Sequence, residues 1–469
     1  MNPPIVRPLG YRVYGRGSCW NLHRSVRAST SGCPILLYRC ERIPSSVKIR
    51  SGDEYVASLR DGRNVWLDGE RIADVGSHPA LNATVTGFAK YYDLVNDPRF
   101  EDVLRIKSPG TGDRVSVFLD LPRSRGDLVR RRTAVEFVLR ESGGLVTRLP
   151  DFAQALLVGF WDVKEGHAVE ARAFAANIER WFDRMEESDA MLAPTFNDPQ
   201  IDRGKGLSAQ GALRIVEKPS GGVVVRGARA LATDAPFANE CLCLRKPVPP
   251  DAADFCLDFI VPLNSEGLTM ICRPSLGRSP APGGDGRPTG YDELDAMLIF
   301  DDVLVPDGNI FLLGRPDLVN KTWGRITVLS LYHDHIRATV KAELLLGIAS
   351  LIVEYIGTSR FSAVMEDLTE LIEYVETLRA LAVAAEAECT VTPAGLALPN
   401  RFILDVARFH HHRYYPRVLG VIRSLSGQSL VTSLTGRYFD QAEILPQIER
   451  YFGGNGVSAQ DKAKLFRLA

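Results

Sequence analysis

Gly222-Val-Val-Val-Arg-Gly227, Phe255-Cys-Leu-Asp-Phe-Ile-Val-Pro262 and Ala296-Met-Leu-Ile-Phe-Asp-Asp-Val303 are short apolar runs bounded by Gly, Pro and Asp. With Ala212-Leu-Arg-Ile-Val-Glu217 they recur at the intervals of a sandwich or barrel, and they predict a β region from Leu213 to about Phe311. Within it, residues 278–289 are rich in Pro and Gly and read as a loop. Both flanks read as helix. Upstream, Ser51 precedes acids and then apolar residues, the pattern of a capped helix. Asp61-Gly-Arg-Asn-Val-Trp-Leu-Asp-Gly69 then predicts a turn and a short hairpin, with Asp68-Gly69 as its tip. Residues 78–100 and 127–190 carry helical periodicity, as in Val169, Ala173, Ala176, Ile178 and Phe182. Downstream of Trp323, residues 337–358 and 363–388 are long and amphipathic. The expected order is therefore α, then β, then α.

At 469 residues the chain has room for about three folding units of ~150 residues each. Hydrophobic residues make up 45% and charged residues 24%, so a globular protein is expected. The formal net charge is −1 with Lys and Arg dispersed, which argues against nucleic acid or an anionic membrane as partner. No apolar run approaches the ~18 residues of a membrane span, and a cytoplasmic location is expected. None of the eight cysteines forms a CxxC pair or stands at zinc-site spacing to a histidine; free thiols are expected. His410-His411-His412 occupy successive positions ~100° apart on a helix, so they cannot converge on one ion, and no metal is expected. The first fifty residues carry nine Lys or Arg against one acid, Glu41; they read as an extension outside the fold, with an organellar transit peptide as the alternative.

Several segments then come in a recognisable order. Asp61-Gly-Arg-Asn-Val-Trp66, His78-Pro79, Tyr92-Asp-Leu94 and Asp97-Pro98 come first. Next are Arg148-Leu-Pro-Asp-Phe152, Asn197-Asp-Pro-Gln-Ile-Asp-Arg203 and Gly227-Ala-Arg-Ala-Leu-Ala-Thr233. Tyr291-Asp-Glu-Leu-Asp-Ala-Met297, Phe300-Asp-Asp-Val-Leu-Val-Pro306 and Leu465-Phe-Arg-Leu-Ala469 complete the set. Over residues 47–469 the chain resembles the oxygenase components of the 4-hydroxyphenylacetate 3-monooxygenase family. The resemblance implies an α+β, acyl-CoA-dehydrogenase-like fold: an N-terminal helical domain (47–193), a central antiparallel β domain (194–315) and a C-terminal helical bundle (316–469). Residues 1–46 lie outside the match. It also implies FAD, delivered as FADH2 by an NAD(P)H:flavin reductase, and O2 and a phenolic small molecule as co-substrates. Hydroxylation would proceed through a flavin C4a-hydroperoxide, ortho to or at the substituted ring carbon. A homodimer or homotetramer is expected.

The resemblance assigns roles residue by residue. Gln200, Ile201, Asp202 and Arg203 would line the flavin, and the Thr233 hydroxyl would contact its ring system. Arg148 would sit beside the substrate, where a permanently charged fork can pair with a phenolate. Two positions depart from the family pattern: Phe152 stands where a Tyr contacts the substrate hydroxyl, and Pro194 where a His does. His333, in Tyr332-His-Asp-His335, aligns with the His that serves as base in related chlorophenol and nitrophenol monooxygenases, so Arg148 and His333 are the expected catalytic pair. His335 would be turned away by nearly 200° on a helix.

Two relatives by fold fit less well. A 4-hydroxybutyryl-CoA dehydratase needs cysteine ligands for an iron–sulfur cluster, and no cysteine lies between Cys40 and Cys241. An acyl-CoA dehydrogenase would retain its flavin and use a catalytic Glu; the motifs above argue against it. A further alternative is an inactive or fragmentary paralogue, because the family pattern continues past Ala469 into a flavin-binding segment.

Overall fold

The computed structural model describes residues 49–108, 112–146, 150–168, 172–202, 204–275 and 292–469. The N-terminal extension and the Pro/Gly-rich loop at 278–289 lie outside them.

Among the described residues, six helices come first: α1 (Gly52–Ser58), α2 (Asn82–Asn96), α3 (Glu101–Leu104), α4 (Arg125–Glu141), α5 (Pro150–Ala168) and α6 (Arg172–Ser188). Two short hairpins interrupt them, β1–β2 (Val65–Leu67, Glu70–Ile72) and β3–β4 (Arg105–Lys107, Arg114–Ser116). Local chemistry sets their ends. The Ser51 side chain accepts from Glu54 N while the Glu54 carboxylate accepts from Ser51 N, a reciprocal cap; Ser124 and Asp127 repeat it at α4. Asp68 and Gly69 take φ of 51° and 84°, the left-handed pair that a two-residue hairpin turn requires.

The strands come next: β5 (Leu192–Thr195), β6 (Arg214–Glu217), β7 (Gly222–Thr233), β8 (Glu240–Cys243), β9 (Leu257–Pro262), β10 (Leu268–Cys272), β11 (Asp295–Pro306) and β12 (Ile310–Leu313). One sheet has the order β2-β1-β10-β11-β7-β6 and the other β12-β9-β8-β5. They meet through rings such as Phe259 and Phe300, 6.2 Å apart at 75°. Most pairings are antiparallel, but β1 runs parallel to β10 and β5 parallel to β8. The N-terminal hairpin thus belongs to the central sheet. A lone two-stranded hairpin is marginal in water; pairing with β10 covers one edge and leaves Val65 and Leu67 buried. Strand β5 is an edge strand, where Pro194, lacking an N–H, is tolerated.

Helices then return as α7 (Pro316–Ile326), α8 (Val328–Ile356), α9 (Ser362–Ala387), α10 (Arg401–Ser426), α11 (Ser429–Thr432), α12 (Leu445–Phe452) and α13 (Ala459–Leu468). Helix α5 approaches α7 so closely that a Cβ on Gly159 would lie 2.1 Å from the Ile326 carbonyl oxygen. Nearby, Arg325 reaches Asp162 Oδ2 at 2.6 Å. The main core runs from the first helices through the sheets to Val340 of α8; a second core begins at Ala342 and holds the far halves of α8, α9 and α10 with Leu465 and Phe466. Residues 328–340 of α8 therefore belong to the main core, and α8 packs there against α4 and α5. Among the described residues, no helix is long and apolar enough to cross a membrane.

Candidate active site

Helix α5 starts at Pro150, which suits a first helical position because its missing N–H would have had no partner there. The next residue, Asp151, sits in the first turn, where the helix dipole favours a carboxylate. Its side chain is fully buried and meets His333 of α8: Asp151 Oδ2 and His333 Nε2 are 2.6 Å apart, with the His333 side chain 2% exposed. The Phe152 ring stands edge-on to the imidazole, centroids 5.3 Å apart at 83°. Two predicted site residues, Phe152 and His333, are thus in contact, and Asp151 joins them.

Around this pair the polar groups are incompletely partnered. His333 Nδ1, Asp151 Oδ1, Arg131 Nη2 and Gln154 Oε1 are buried without a hydrogen-bond partner among the described residues. Arg131 is held by the Phe118 carbonyl at 3.0 Å through Nη1, and burial pulls its pKa down from the usual value. One residue before His333, Tyr332 is hydrogen-bonded to the buried Glu386, which also pairs with Arg132 Nε at 2.5 Å. His335 donates nothing to the pair. Its Nε2 lies 2.8 Å from the Leu378 carbonyl, and burial pushes its pKa down to about 4. His411 likewise bonds Tyr374, Nδ1 to hydroxyl at 2.6 Å, rather than converging with its neighbours in sequence.

The loop after β5 is pinned from below. Asp198 accepts from Arg229 Nη1 at 2.7 Å and from Arg245 Nη1 and Nη2 at 2.7 and 2.6 Å. Arg229 is 0% and Arg245 3% exposed. Asn197 bridges to Ala230 of β7, and Lys246 Nζ reaches Asn197 Oδ1 at 2.5 Å. Above this anchor Gln200 and Asp202 are exposed and Ile201 is 70% exposed. At the end of β7, half-buried Thr233 donates from Oγ1 to Asp295 Oδ1 at 2.7 Å. Pro194 is buried within β5, opposite Leu242. Arg148 and Arg203 lie outside the described residues.

Beneath the same anchor, Asp258 accepts from Arg245 N at 2.6 Å, and burial raises its pKa to about 7. A raised folded-state value means that the unfolded chain loses this proton first as pH rises. The group therefore costs stability progressively between about pH 4 and pH 7. Asp258→Asn keeps the accepting oxygen and removes the titration. The melting temperature of the variant relative to wild type should climb across that window and level off above it; a constant difference between pH 4 and 7 would contradict this.

Sequence reasoning missed Asp151, Arg229 and Arg245 as partners. Asp151 did carry a signal, a single acid opening the apolar run Phe152-Ala-Gln-Ala-Leu-Leu-Val158. Nothing in the sequence ties Asp198 to Arg229 or Arg245.

Helices on either side of a two-sheet β unit, with polar groups converging where α5 meets α8, define the acyl-CoA-dehydrogenase class of fold. Butyryl-CoA dehydrogenase from Megasphaera elsdenii superposes with a TM-score of 0.50 at 14% identity, covering 80% of this chain and 88% of the other. The chain belongs to the 4-hydroxyphenylacetate 3-hydroxylase family: the N-terminal family model matches residues 51–312 and the C-terminal model residues 321–469. It is 36% identical over 432 residues to the oxygenase component of a 4-nitrophenol 4-monooxygenase/4-nitrocatechol 2-monooxygenase of Rhodococcus opacus, covering 89% of this chain and 81% of the relative. It is also similar to the crystal structure of the oxygenase component of 4-hydroxyphenylacetate 3-monooxygenase complexed with FAD and 4-hydroxyphenylacetate. That match has a TM-score of 0.84 at 29% identity, over 89% of this chain and 88% of the other.

Proposed function

We propose that this chain is the oxygenase component of a two-component monooxygenase that hydroxylates a phenol, with His333 as the base that ionises it. The observation that carries the reading is the buried Asp151–His333 pair with Phe152 edge-on beside it: a basic nitrogen and an aromatic wall in a site shielded from water. Reduced FAD, when bound, supplies the electrons that activate dioxygen. The chain's own residues bind it, order the phenol and exclude water, which would otherwise divert the reaction. Fit to a flavin is supported by Ile201, an apolar side chain held out on a loop whose base is fixed by Asp198, Arg229 and Arg245. We assign Gln200, Ile201, Asp202, Arg203 and Thr233 to the flavin, and Arg148 to the substrate phenolate. Thr233 already donates to Asp295, so contact with the flavin through its oxygen requires it to accept or to change partner.

Phe152 and Pro194 offer no side-chain hydrogen bond. A substrate like 4-hydroxyphenylacetate would find less polar recognition here than a compact phenol bearing a halogen or nitro group, and we assign the chain that substrate class. The electron donor is a flavin reductase working through diffusible reduced FAD, and the location is the cytoplasm. Self-association is supported by rows of exposed apolar side chains. Trp66, Ile271 and Met297 are paired across neighbouring strands, and Phe402, Val406 and Phe409 follow helical spacing on α10. A homodimer or homotetramer by light scattering is expected, and a monomer at micromolar concentration would contradict it.

The activity is tested by coupling the protein to an unrelated NAD(P)H:flavin reductase across a dialysis membrane permeable to FAD. Hydroxylated phenol should form in the compartment holding this chain. Peroxide without phenol consumption would overturn the proposal. Ile201→Asp should weaken reduced-FAD binding and leave the melting temperature unchanged, because the side chain is largely exposed.

A further inference from the structure

The Asp151–His333 contact admits two readings, a strut between α5 and α8 or part of the reaction. A strut is complete when its polar atoms are paired, because a buried polar atom left without a partner is destabilising. Here the contact satisfies one atom on each partner and leaves the other, His333 Nδ1 and Asp151 Oδ1, without one among the described residues. Arg131 Nη2 and, one turn along α5, Gln154 Oε1 are in the same condition. Such an arrangement is finished by something that brings its own hydrogen-bonding groups.

We infer that Asp151 is the positioning residue for phenol ionisation: it holds the Nε2 proton of His333, so that Nδ1 is the nitrogen that takes the proton of the phenol. This rests on the reading of His333 as the base. The phenol O–H bond breaks and an Nδ1–H bond forms. The Asp151–His333 pair goes from a net −1 to zero, the phenolate carries −1, and total charge is conserved. The Asp151 carboxylate, 2.6 Å from Nε2, stabilises the imidazolium through a charge-assisted hydrogen bond. It also fixes the tautomer, since a neutral imidazole donating from Nε2 must accept at Nδ1.

Among the described residues, few other charged and titratable groups surround the pair. From α4 comes Arg131, whose ionisation Asp151 favours; from α2 comes Tyr91, whose ionisation Asp151 opposes. On the α9 side, Glu386 is engaged by Tyr332 and Arg132. On α8 itself, Asp334 and His335 follow His333 at ~100° per residue and point away from its face. Asp151 is the acid in direct contact with the imidazole.

The test uses 4-nitrophenol, whose neutral and ionised forms absorb at different wavelengths, bound without oxygen to the complex of the protein with reduced FAD. Asp151→Asn should raise the pH at which bound 4-nitrophenol ionises by about one unit. It should lower kcat by about 10²-fold while leaving KM and reduced-FAD binding nearly unchanged. Asp151→Glu, which keeps the charge, should recover part of both effects. Should Asp151→Asn not fold, Asp151→Glu alone decides, because the longer arm displaces the imidazole and must move the ionisation midpoint. An unchanged midpoint and pH–rate profile in the folded variants, with only a lower melting temperature, would make Asp151 a strut and overturn the inference. That outcome differs from failure of the base assignment, in which His333→Ala would itself turn over normally.

Discussion

His333→Ala should lower phenol turnover by about 10³-fold and leave reduced-FAD binding unchanged. General-base assistance is worth about 10²- to 10⁴-fold, and the upper half of that range applies where water cannot stand in. His333 is 2% exposed and Asp151 0%, so a replacement water would have to enter a buried position, with the Phe152 ring edge-on to the imidazole. The variant also leaves the Asp151 carboxylate buried and unpaired. Some loss of stability is therefore expected, of about 3 kcal/mol or more if the carboxylate stays ionised. His333→Gln, which can still donate to Asp151, separates the two effects: stability returns and turnover does not. Single-turnover measurement of product against bound reduced FAD distinguishes them. Normal turnover in His333→Ala would remove the base assignment.

Asp198→Ala should produce the largest structural effect. The carboxylate is the shared partner of two guanidinium groups that are 0% and 3% exposed, and without it both remain buried with no carboxylate bonded to either guanidinium among the described residues. Breaking a buried pair from one side costs about 3–5 kcal/mol. Arginine cannot escape by losing its proton, although burial already pulls the Arg229 value down. The loss should appear as a reduced denaturation midpoint and as weakened reduced-FAD affinity, since Gln200 and Ile201 ride on the loop that Asp198 fastens. Stability and flavin affinity both within error of wild type would show that the cluster anchors nothing.

The order of helices and strands was legible because periodicity, caps and turn residues are local. Ser51 with Glu54, Asp68 with Gly69, and the apolar runs of β7, β9 and β11 each declare themselves within a few residues. What was not legible is what joins distant segments. The hairpin β1–β2 reads as an appendage of the helical region, yet it pairs with β10 some two hundred residues on. His333 was identifiable only through the family resemblance, and Asp151 only as an acid on an apolar helix. Their contact spans 182 positions and depends on how α5 packs against α8. The same holds for Asp198, where neither arginine differs in sequence from a solvated one. Local patterns thus disclosed the elements, and the site arises where packing brings their polar exceptions together.

Hydroxylation of a phenol with reduced FAD and dioxygen is open to one decisive isotope measurement. The protein is loaded without oxygen with one equivalent of reduced FAD and a nitro- or halogenated phenol, then mixed with ¹⁸O-labelled dioxygen. A hydroxylated product carrying one labelled oxygen is expected, in an amount approaching that of the bound reduced FAD, and formed about 10³-fold more slowly with His333→Ala. Unchanged phenol, with all reduced FAD converted to oxidised FAD and labelled hydrogen peroxide, would contradict it.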